Sequence, residues 1–524
     1  MKIAAGAIWA LVLAAAIDRQ SQNPGALCDA LGALKLPNTT ITLARSVPAG
    51  TFAPPGSGAA AGAAAAPALL ATLPAFCRVA ATLTPTTDSD IKIEIWLPAS
   101  GWNGKLQAVG NGGWAGTISY PAMAQALRRG YATTSTDTGH SEPGGAFTLG
   151  HPEKFIDFAY RSEHEMTVAA KAVVNAYYGT APKYSYWNGC STGGRQGLAE
   201  VQRYPNDFDG VIAGAQANPR THLNAWHLSL VNASLKDPAA FIAREKYPAI
   251  HRAVVNACDA LDGVKDGLIS DPTRCQFDPQ VLACSKDDGQ GCLTARQVET
   301  ARTLMRPAKT SRGEEVFPGY APGTELGWGA VVGGPEPTSL TVDHYKYVVF
   351  KDPAWDWRTF DIDRDVATAD KVDNGTINAV DPNIQPFTRH GGKLLMYHGW
   401  ADPLVAPGTS INYYNSVVKA LGGPSKTAPS VRLFMVPGMG HCGGGAGPNA
   451  FDVVTALERW VEQGQAPDQM VASHSTNGVV DRTRPLCPYP QVAQYIGSGS
   501  INRAENFHCV TGARRAAHHT ASNR

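Results

Sequence analysis

One stretch of the chain combines residue types that can do chemistry: Gly189-Cys190-Ser191-Thr192-Gly193. A serine hydroxyl is a weak nucleophile until a base takes its proton, and the flanking glycines permit a turn tight enough to lift it clear of the backbone. Such a serine needs an acid and then a histidine downstream. Asp402, in Gly399-Trp400-Ala401-Asp402-Pro403, and His441, in Gly440-His441-Cys442, come in that order. The roles expected are Ser191 as nucleophile, His441 as general base and then acid, and Asp402 as the group that holds the imidazole tautomer. Separately, each has a plain alternative: a glycine turn, an Asp-Pro turn, a packed loop histidine. His398, Asp137 and His140 are rival candidates, with His398 inside an apolar run that reads as core and the Asp137 to His140 turn suited to supporting a site from behind.

Acyl transfer also requires N–H donors aimed at the developing oxyanion. Thr192 follows the nucleophile, and Gly112 or Gly113, in Gly110-Asn111-Gly112-Gly113-Trp114, follows an apolar run; the choice between the two glycines is open. The same glycines would suit a dinucleotide loop, with Ala115 closing the fingerprint and Asp137 near the usual offset of about 20 residues, but that reading leaves Asp402 and His441 unexplained. Cys190 precedes Ser191 and Cys442 follows His441. A disulfide between them would hold the two Cα atoms within roughly 4.4 to 6.8 Å and clip nucleophile to base.

These residues need a scaffold. Tyr184 to Asn188 reads as a strand and Arg195 to Tyr204 as a helix, so Ser191 falls on a strand-to-helix turn whose helix dipole favours negative charge. Ile91 to Ile95 alternates at period two, Leu106 to Val109 and Tyr131 to Ser135 are further strands, and His164 to Tyr178 has helical spacing. Lys393 to Tyr397 and Val431 to Val436 resume the pattern, each leading into the loop that carries Asp402 or His441, and Phe451 to Gln463 is helical. Strands alternating with helices imply an α/β fold with a mostly parallel sheet, whose sites lie beyond the strand C-termini. Residues 217–383 lack that rhythm and read as an inserted lid, with 18–216 and 384–524 forming the two parts of the core. Ala49 to Ala68, rich in Ala, Gly and Pro, reads as a surface loop.

At 524 residues, 44% apolar, 17% charged and a net charge of +1, the chain has no basic or acidic excess to suit nucleic acid or an anionic membrane. A small, near-neutral substrate fits better, with no organic cofactor; oligomeric state is not legible. Met1-Lys2 followed by the apolar Ile3 to Ile17 reads as a signal peptide over 1–17, shorter than the ~20 residues of a membrane span, and implies a secreted or periplasmic protein. Ten cysteines in an exported chain argue for disulfides. Cys258 with Cys275, Cys284 with Cys292, and Cys487 with Cys509 are near enough in sequence to close short loops.

Asp259, Asp262, Asp266 and Asp271 crowd one glycine-containing loop. Carboxylates so placed repel unless a cation joins them, and calcium takes carboxylate together with backbone oxygens, here Val264 and Leu268. A solvated acidic turn is the plainer alternative. His164-Glu165 opens like a zinc-protease helix, but position 168 is Val168, so the second histidine is missing.

Taken together, Gly189-Cys190-Ser191-Thr192-Gly193-Gly194-Arg195, Tyr204-Pro205 to Asp209-Gly210, Val349-Phe350-Lys351-Asp352-Pro353, His398-Gly399-Trp400-Ala401-Asp402-Pro403 and Gly440-His441-Cys442 resemble the tannase and feruloyl esterase family, which includes mono(2-hydroxyethyl) terephthalate hydrolases. The resemblance covers most of the chain and implies an α/β-hydrolase fold with a large inserted lid, cleavage of aromatic acid esters, and structural calcium on Asp259, Asp262, Val264, Asp266 and Leu268. It further implies the pairs Cys28–Cys77, Cys190–Cys442, Cys258–Cys275, Cys284–Cys292 and Cys487–Cys509. Feruloyl or related hydroxycinnamoyl esters are the expected substrates, with galloyl esters and the terephthalate monoester as alternatives. Val405 is aliphatic where the terephthalate enzymes are expected to carry an aromatic residue. Trp226, His227, Trp355 and Trp357 are candidates to line an aromatic cleft, or else lid core. A reading of another class is a calcium-stabilised binding protein that has lost catalysis.

Overall fold

The structure is a computed structural model that describes residues 24–55, 65–114, 116–286 and 288–511. The apolar run Ile3 to Ile17, Ala115 and the middle of the Ala- and Gly-rich loop lie outside the described residues. Among those described, nine strands form the main sheet: β1 (Thr39–Val47), β2 (Phe76–Leu83), β3 (Ile91–Pro98), β4 (Lys105–Val109), β5 (Ala132–Thr136), β6 (Tyr184–Cys190), β7 (Gly210–Gly214), β8 (Lys393–Gly399) and β9 (Val431–Val436). Their order is β1-β2-β3-β5-β4-β6-β7-β8-β9. The β1, β2, β3 and β5 neighbours pair antiparallel, and from β5 through β4 to β9 every pairing is parallel.

Successive strand residues feed opposite layers. Trp187, Val211, Leu394, Met396 and Leu433 face α2 (Ser162–Tyr178), α3 (Thr192–Arg203) and α8 (Gly408–Ala420), whereas Tyr186, Ile212, Leu395 and Phe434 face α1 (Tyr120–Arg128) and α9 (Val453–Gln463). Each such side chain contributes roughly 1.5 to 3 kcal/mol by leaving water. Coverage of both faces explains why β3 alternates less than its sequence suggests: Lys92 is its exposed residue, while Glu94 is buried against Arg78 at 2.9 Å and the Trp96 indole at 2.8 Å.

The connection β4-α1-β5 runs to one side of β4 and β5-α2-β6 to the other, so the loop after β4, holding Gly112 and Gly113, sits at the switch point where doubly wound sheets bind ligands. The chain leaves the sheet after Gly214 and returns at Lys393. In between, α4 (Arg220–Leu235), α5 (Tyr247–Cys258), α6 (Ala295–Met305) and α7 (Ile362–Asp373) pack around a separate core that includes Trp226, Tyr320, Trp328 and Tyr345. Val405 and Ala406, just past Asp402, belong to that core, so the lid is seated on the acid-bearing loop. After α9 come two hairpins, β10 (Met470–Thr476) with β11 (Val479–Leu486) and β12 (Gln491–Tyr495) with β13 (Phe507–Thr511).

All ten cysteines are paired: Cys28–Cys77, Cys190–Cys442, Cys258–Cys275, Cys284–Cys292 and Cys487–Cys509.

Candidate active site

Ser191 links the end of β6 to the start of α3 at φ 62° and ψ −122°, a conformation that non-glycine residues enter only under strain of about 1 to 3 kcal/mol. Neighbouring bonds over-determine it: the Ser191 N–H donates to Gly214 O at 2.9 Å, and its carbonyl accepts from the Arg195 N–H at 3.0 Å. A Cβ at Gly189 would overlap the Gly193 backbone. Gly193 in turn donates to Asn111 O at 2.8 Å, which draws the elbow against the loop after β4.

His441 Nδ1 donates to Asp402 Oδ2 at 2.7 Å. Asp402 is fully buried, and burial alone would raise its carboxyl. Hydrogen bonds from His398 and His441 outweigh that and hold it below the ordinary carboxylate range. Its Oδ1 accepts the N–H groups of Leu404 and Val405 at 2.8 and 3.0 Å. His398, a rival on sequence, is wholly buried and gives its Nε2–H to Asp402 Oδ2 and Val405 O, each at 3.0 Å, while Nδ1 meets Ser410 Oγ at 2.5 Å. It therefore orients the acid. The Cys190–Cys442 bond sets the Cα atoms beside serine and histidine 5.9 Å apart.

Ser191, His441, Gly112, Gly113, Arg220 and His227 share one cavity of about 290 Å³. Thr192 is the first residue of α3, so its N–H has no intrahelical partner, and its hydroxyl donates to Gly113 O at 2.9 Å. That bond leaves both Gly112 and Gly113 at the cavity. Asn111 anchors the loop: its N–H donates to Gln196 Oε1 at 3.0 Å and its amide to Thr117 O and Thr136 O at 2.8 and 2.9 Å. His140 meets Trp114 O at 2.8 Å and braces this loop from behind, while Asp137 accepts from the N–H groups of Lys92 and Gly139 and fixes the turn that carries His140. His441 also borders a second cavity of about 310 Å³ walled by Leu268, Trp400 and Pro403. A larger groove of about 750 Å³ beside Asp271 and Tyr489 contains neither Ser191 nor His441.

Val405 and His227 line the Ser191 cavity. Trp226, Trp355 and Trp357 do not, which corrects the aromatic-cleft expectation. Trp226 stacks on Phe317 at 5.0 Å, Trp355 packs at a tilt against Phe350 at 5.1 Å, and Trp357 lies under Arg358 at 4.4 Å, all within or against the lid core. Their size serves lid packing, and the cavity is walled instead by aliphatic and small residues together with Arg220, Asn224, His227 and His441.

The acidic loop folds tightly. Asp259 accepts from the Asp266 and Gly267 N–H groups, Asp262 from the Val264 N–H and the Ser270 hydroxyl, and Asp266 from the Leu268 N–H and Arg484. Asp271 caps the following turn through the Thr273 N–H. The donor set is oxygen, as calcium requires. Among the described residues the one group of three His, Cys, Asp or Glu side chains whose ligand atoms lie within 4.8 Å of one another is elsewhere: it is Cys284, Asp288 and Cys292, and its two sulfurs form a disulfide.

Behind the loop after β4, Gln196 contacts both Asn111 and the fully buried Glu163. Burial pushes the Glu163 carboxyl up to about 7 from its ordinary 4.5, against a weaker pull from Arg195. The folded chain thus keeps a proton that the unfolded chain has released between those values, and stability falls as pH rises through that window. Glu163→Gln is expected to gain on the wild type as pH rises from 5 to 8, by up to about 3 kcal/mol, in urea unfolding at the two pH values. Identical pH dependence in the two proteins would refute this.

A mixed sheet whose strand-turn-helix elbow presents a serine, with a histidine clipped beside it and a buried carboxylate behind, defines an α/β-hydrolase of the esterase kind. The sequence profile described as tannase and feruloyl esterase matches residues 77–510. An esterase of Xanthomonas campestris, itself uncharacterised, is 40% identical, covering 94% of this chain and 93% of its own length. A probable feruloyl esterase B-2 of Aspergillus fumigatus is 34% identical over 95% of this chain and 98% of its own. The crystal structure of feruloyl esterase B from Aspergillus oryzae superposes with a TM-score of 0.87 at 32% identity, covering 93% of this chain and all of that one. The chain belongs to the tannase and feruloyl esterase family and is a carboxylic ester hydrolase.

Proposed function

We propose that the protein is an exported serine esterase that cleaves esters of hydroxycinnamic or related aromatic acids through an acyl-enzyme on Ser191. The observation that carries this reading is the 2.7 Å His441–Asp402 bond at a cavity shared with Ser191 and clipped by Cys190–Cys442. In the first half-reaction Ser191 Oγ attacks the ester carbonyl carbon as His441 takes its proton, and the alcohol leaves carrying that proton. Water then repeats the attack in the second half, releasing the acid and restoring the serine. Thr192 and Gly112 or Gly113 supply N–H donors to the oxyanion. The hydroxycinnamoyl preference rests on the names of the relatives.

The test is a panel of methyl ferulate, methyl gallate, chlorogenate and the terephthalate monoester on purified protein, with labelling of Ser191 by an organophosphonate. Highest kcat/KM on a hydroxycinnamate is expected; faster turnover of methyl gallate would replace the acyl class, and absence of labelling would sink the mechanism.

Export is supported by the apolar start of the sequence and by five disulfides, which persist in oxidising compartments. No helix among the described residues is long and apolar enough to cross a membrane. Structural calcium on Asp259, Asp262 and Asp266, with the Val264 and Leu268 carbonyls, is part of the same proposal. Its support is the oxygen-only donor set of a loop bracketed by Cys258–Cys275. Chelation is expected to lower the melting midpoint by about 2 to 5 °C, reversed by added calcium; an unchanged midpoint counts against the ion.

A further inference from the structure

Four arginines among the described residues are buried: Arg78, Arg195, Arg220 and Arg484. Arg78 pairs with Glu94 and Arg484 with Asp266. Arg195 donates to Ala159 O at 2.5 Å and Phe158 O at 3.1 Å. Arg220 differs from all three. It is 2% exposed, no carboxylate among the described residues lies within ion-pair distance, and its Nε and Nη2 are buried without hydrogen-bond partners. It also lines the cavity that holds Ser191 and His441.

Among the described residues no ion pair compensates this charge. Arg220 opens α4, so the positive end of the helix dipole opposes it. Among the described residues its guanidinium lies over the Trp114 ring, 4.7 Å from the centroid, a cation–π contact. Burying an unpaired ion costs more than such a contact returns, so the contact does not balance the burial. Unpartnered polar atoms concentrate around it: Trp114 Nε1 and both ring nitrogens of His344, whose ring lies 6.3 Å from that of Trp114, are also buried without partners. Burial, with Arg220 adding to it, pushes His344 down to about 3, so His344 brings no second charge. Asp343, the nearest opposing carboxylate in effect on Arg220, is engaged by the Gly145 N–H at 2.8 Å.

The next turns of the same helix face complete the wall. Leu223, Asn224 and His227 follow Arg220 at helical spacing and border the same cavity. The cavity, about 290 Å³, has mostly apolar walls and the Arg220 guanidinium, whose Nε and Nη2 lack partners.

We propose that Arg220 is a specificity residue that receives an acceptor oxygen on the aromatic part of the substrate, a ring carboxylate or a phenolic oxygen, as that part occupies the Ser191 cavity. This rests on the esterase reading above and names the polar group its substrate carries. A guanidinium left unpaired in the free protein discriminates strongly, because a substrate lacking the oxygen leaves it unpaired when bound as well.

The experiment compares matched methyl esters: 4-hydroxycinnamate against cinnamate for the phenolic oxygen, and the monomethyl ester of benzene-1,4-dicarboxylic acid against methyl benzoate for the carboxylate. The wild type is expected to favour the oxygen-bearing member of at least one pair, and Arg220→Met to shrink that kcat/KM ratio by about 10- to 100-fold, with Arg220→Lys recovering part of it. The pair whose ratio collapses identifies the oxygen. A ratio that Arg220→Met leaves intact, both members falling together, would show a packing role and overturn the proposal. So would a wild type without preference in either pair, a result that needs no folded variant. Calorimetric binding of the free acids, 4-hydroxycinnamate against cinnamate and benzene-1,4-dicarboxylate against benzoate, separates this from the catalytic reading. A protein inert toward every ester but binding the oxygen-bearing acid at least 10-fold more tightly, through Arg220, would lose the esterase mechanism and keep the subsite.

Discussion

Ser191→Ala is expected to lower kcat by about 10⁴- to 10⁶-fold on any ester the protein turns over, with the fold retained. In the proposed mechanism the serine oxygen is the group that enters the covalent intermediate, and neither His441 nor the donors at Thr192 and Gly112 or Gly113 can replace it. The backbone at position 191 supplies a second readout. Its φ of 62° and ψ of −122° suit glycine better than any residue with a Cβ. Ser191→Gly is therefore expected to be as inactive as Ser191→Ala but more stable than it by about 1 to 2 kcal/mol in urea unfolding. An alanine variant at full turnover would remove Ser191 from the chemistry, and a glycine variant no more stable than alanine would remove the strain.

Asp402→Asn is expected to reduce kcat by about 10⁴-fold with little change in structure. Oδ1 is held by the Leu404 and Val405 N–H groups, so the amide oxygen must stay there. The new NH₂ then faces His441 Nδ1 and His398 Nε2, which both donate in the native protein. His441 is driven into the opposite tautomer, with its proton on Nε2 and no lone pair for the serine proton. Full activity in the variant would mean that Asp402 does not set the tautomer. Stability provides an independent check. The folded carboxyl lies below its unfolded value of 3.8, so Asp402 stabilises the fold above about pH 4 and loses that contribution as pH falls further. The asparagine variant should lack that acid-side loss in unfolding measured between pH 5 and pH 3.

The elbow, the order Ser191, Asp402, His441 and the pairing of Cys190 with Cys442 are legible in the sequence because each residue is marked by its immediate neighbours, the two cysteines by standing next to Ser191 and His441. So are β6, β8 and β9, whose short apolar runs end where the loops begin. Elements whose character depends on distant partners are not. Helix α4 is buried nearly all round by the lid, with Arg220, Asn224 and His227 as inward as Trp226 and Leu228, so it shows no apolar stripe. The hairpins after α9 carry exposed Val471, Val479 and Val480, which blurs their alternation. His398 reads as core from its apolar strand, and its second role emerges only when the turn through Gly399 and Trp400 brings it to Asp402. The tryptophans mislead for a related reason: ring size signals burial, but not which of two cores does the burying.

The bond between Cys190 and Cys442 spans 252 residues and closes a ring that contains the whole lid. Any single cut inside that ring leaves both pieces joined beside the nucleophile and the base. A nicked lid therefore does not disperse the two halves of the core. Such a molecule would run as one band on a non-reducing gel and as two fragments once the bond is reduced.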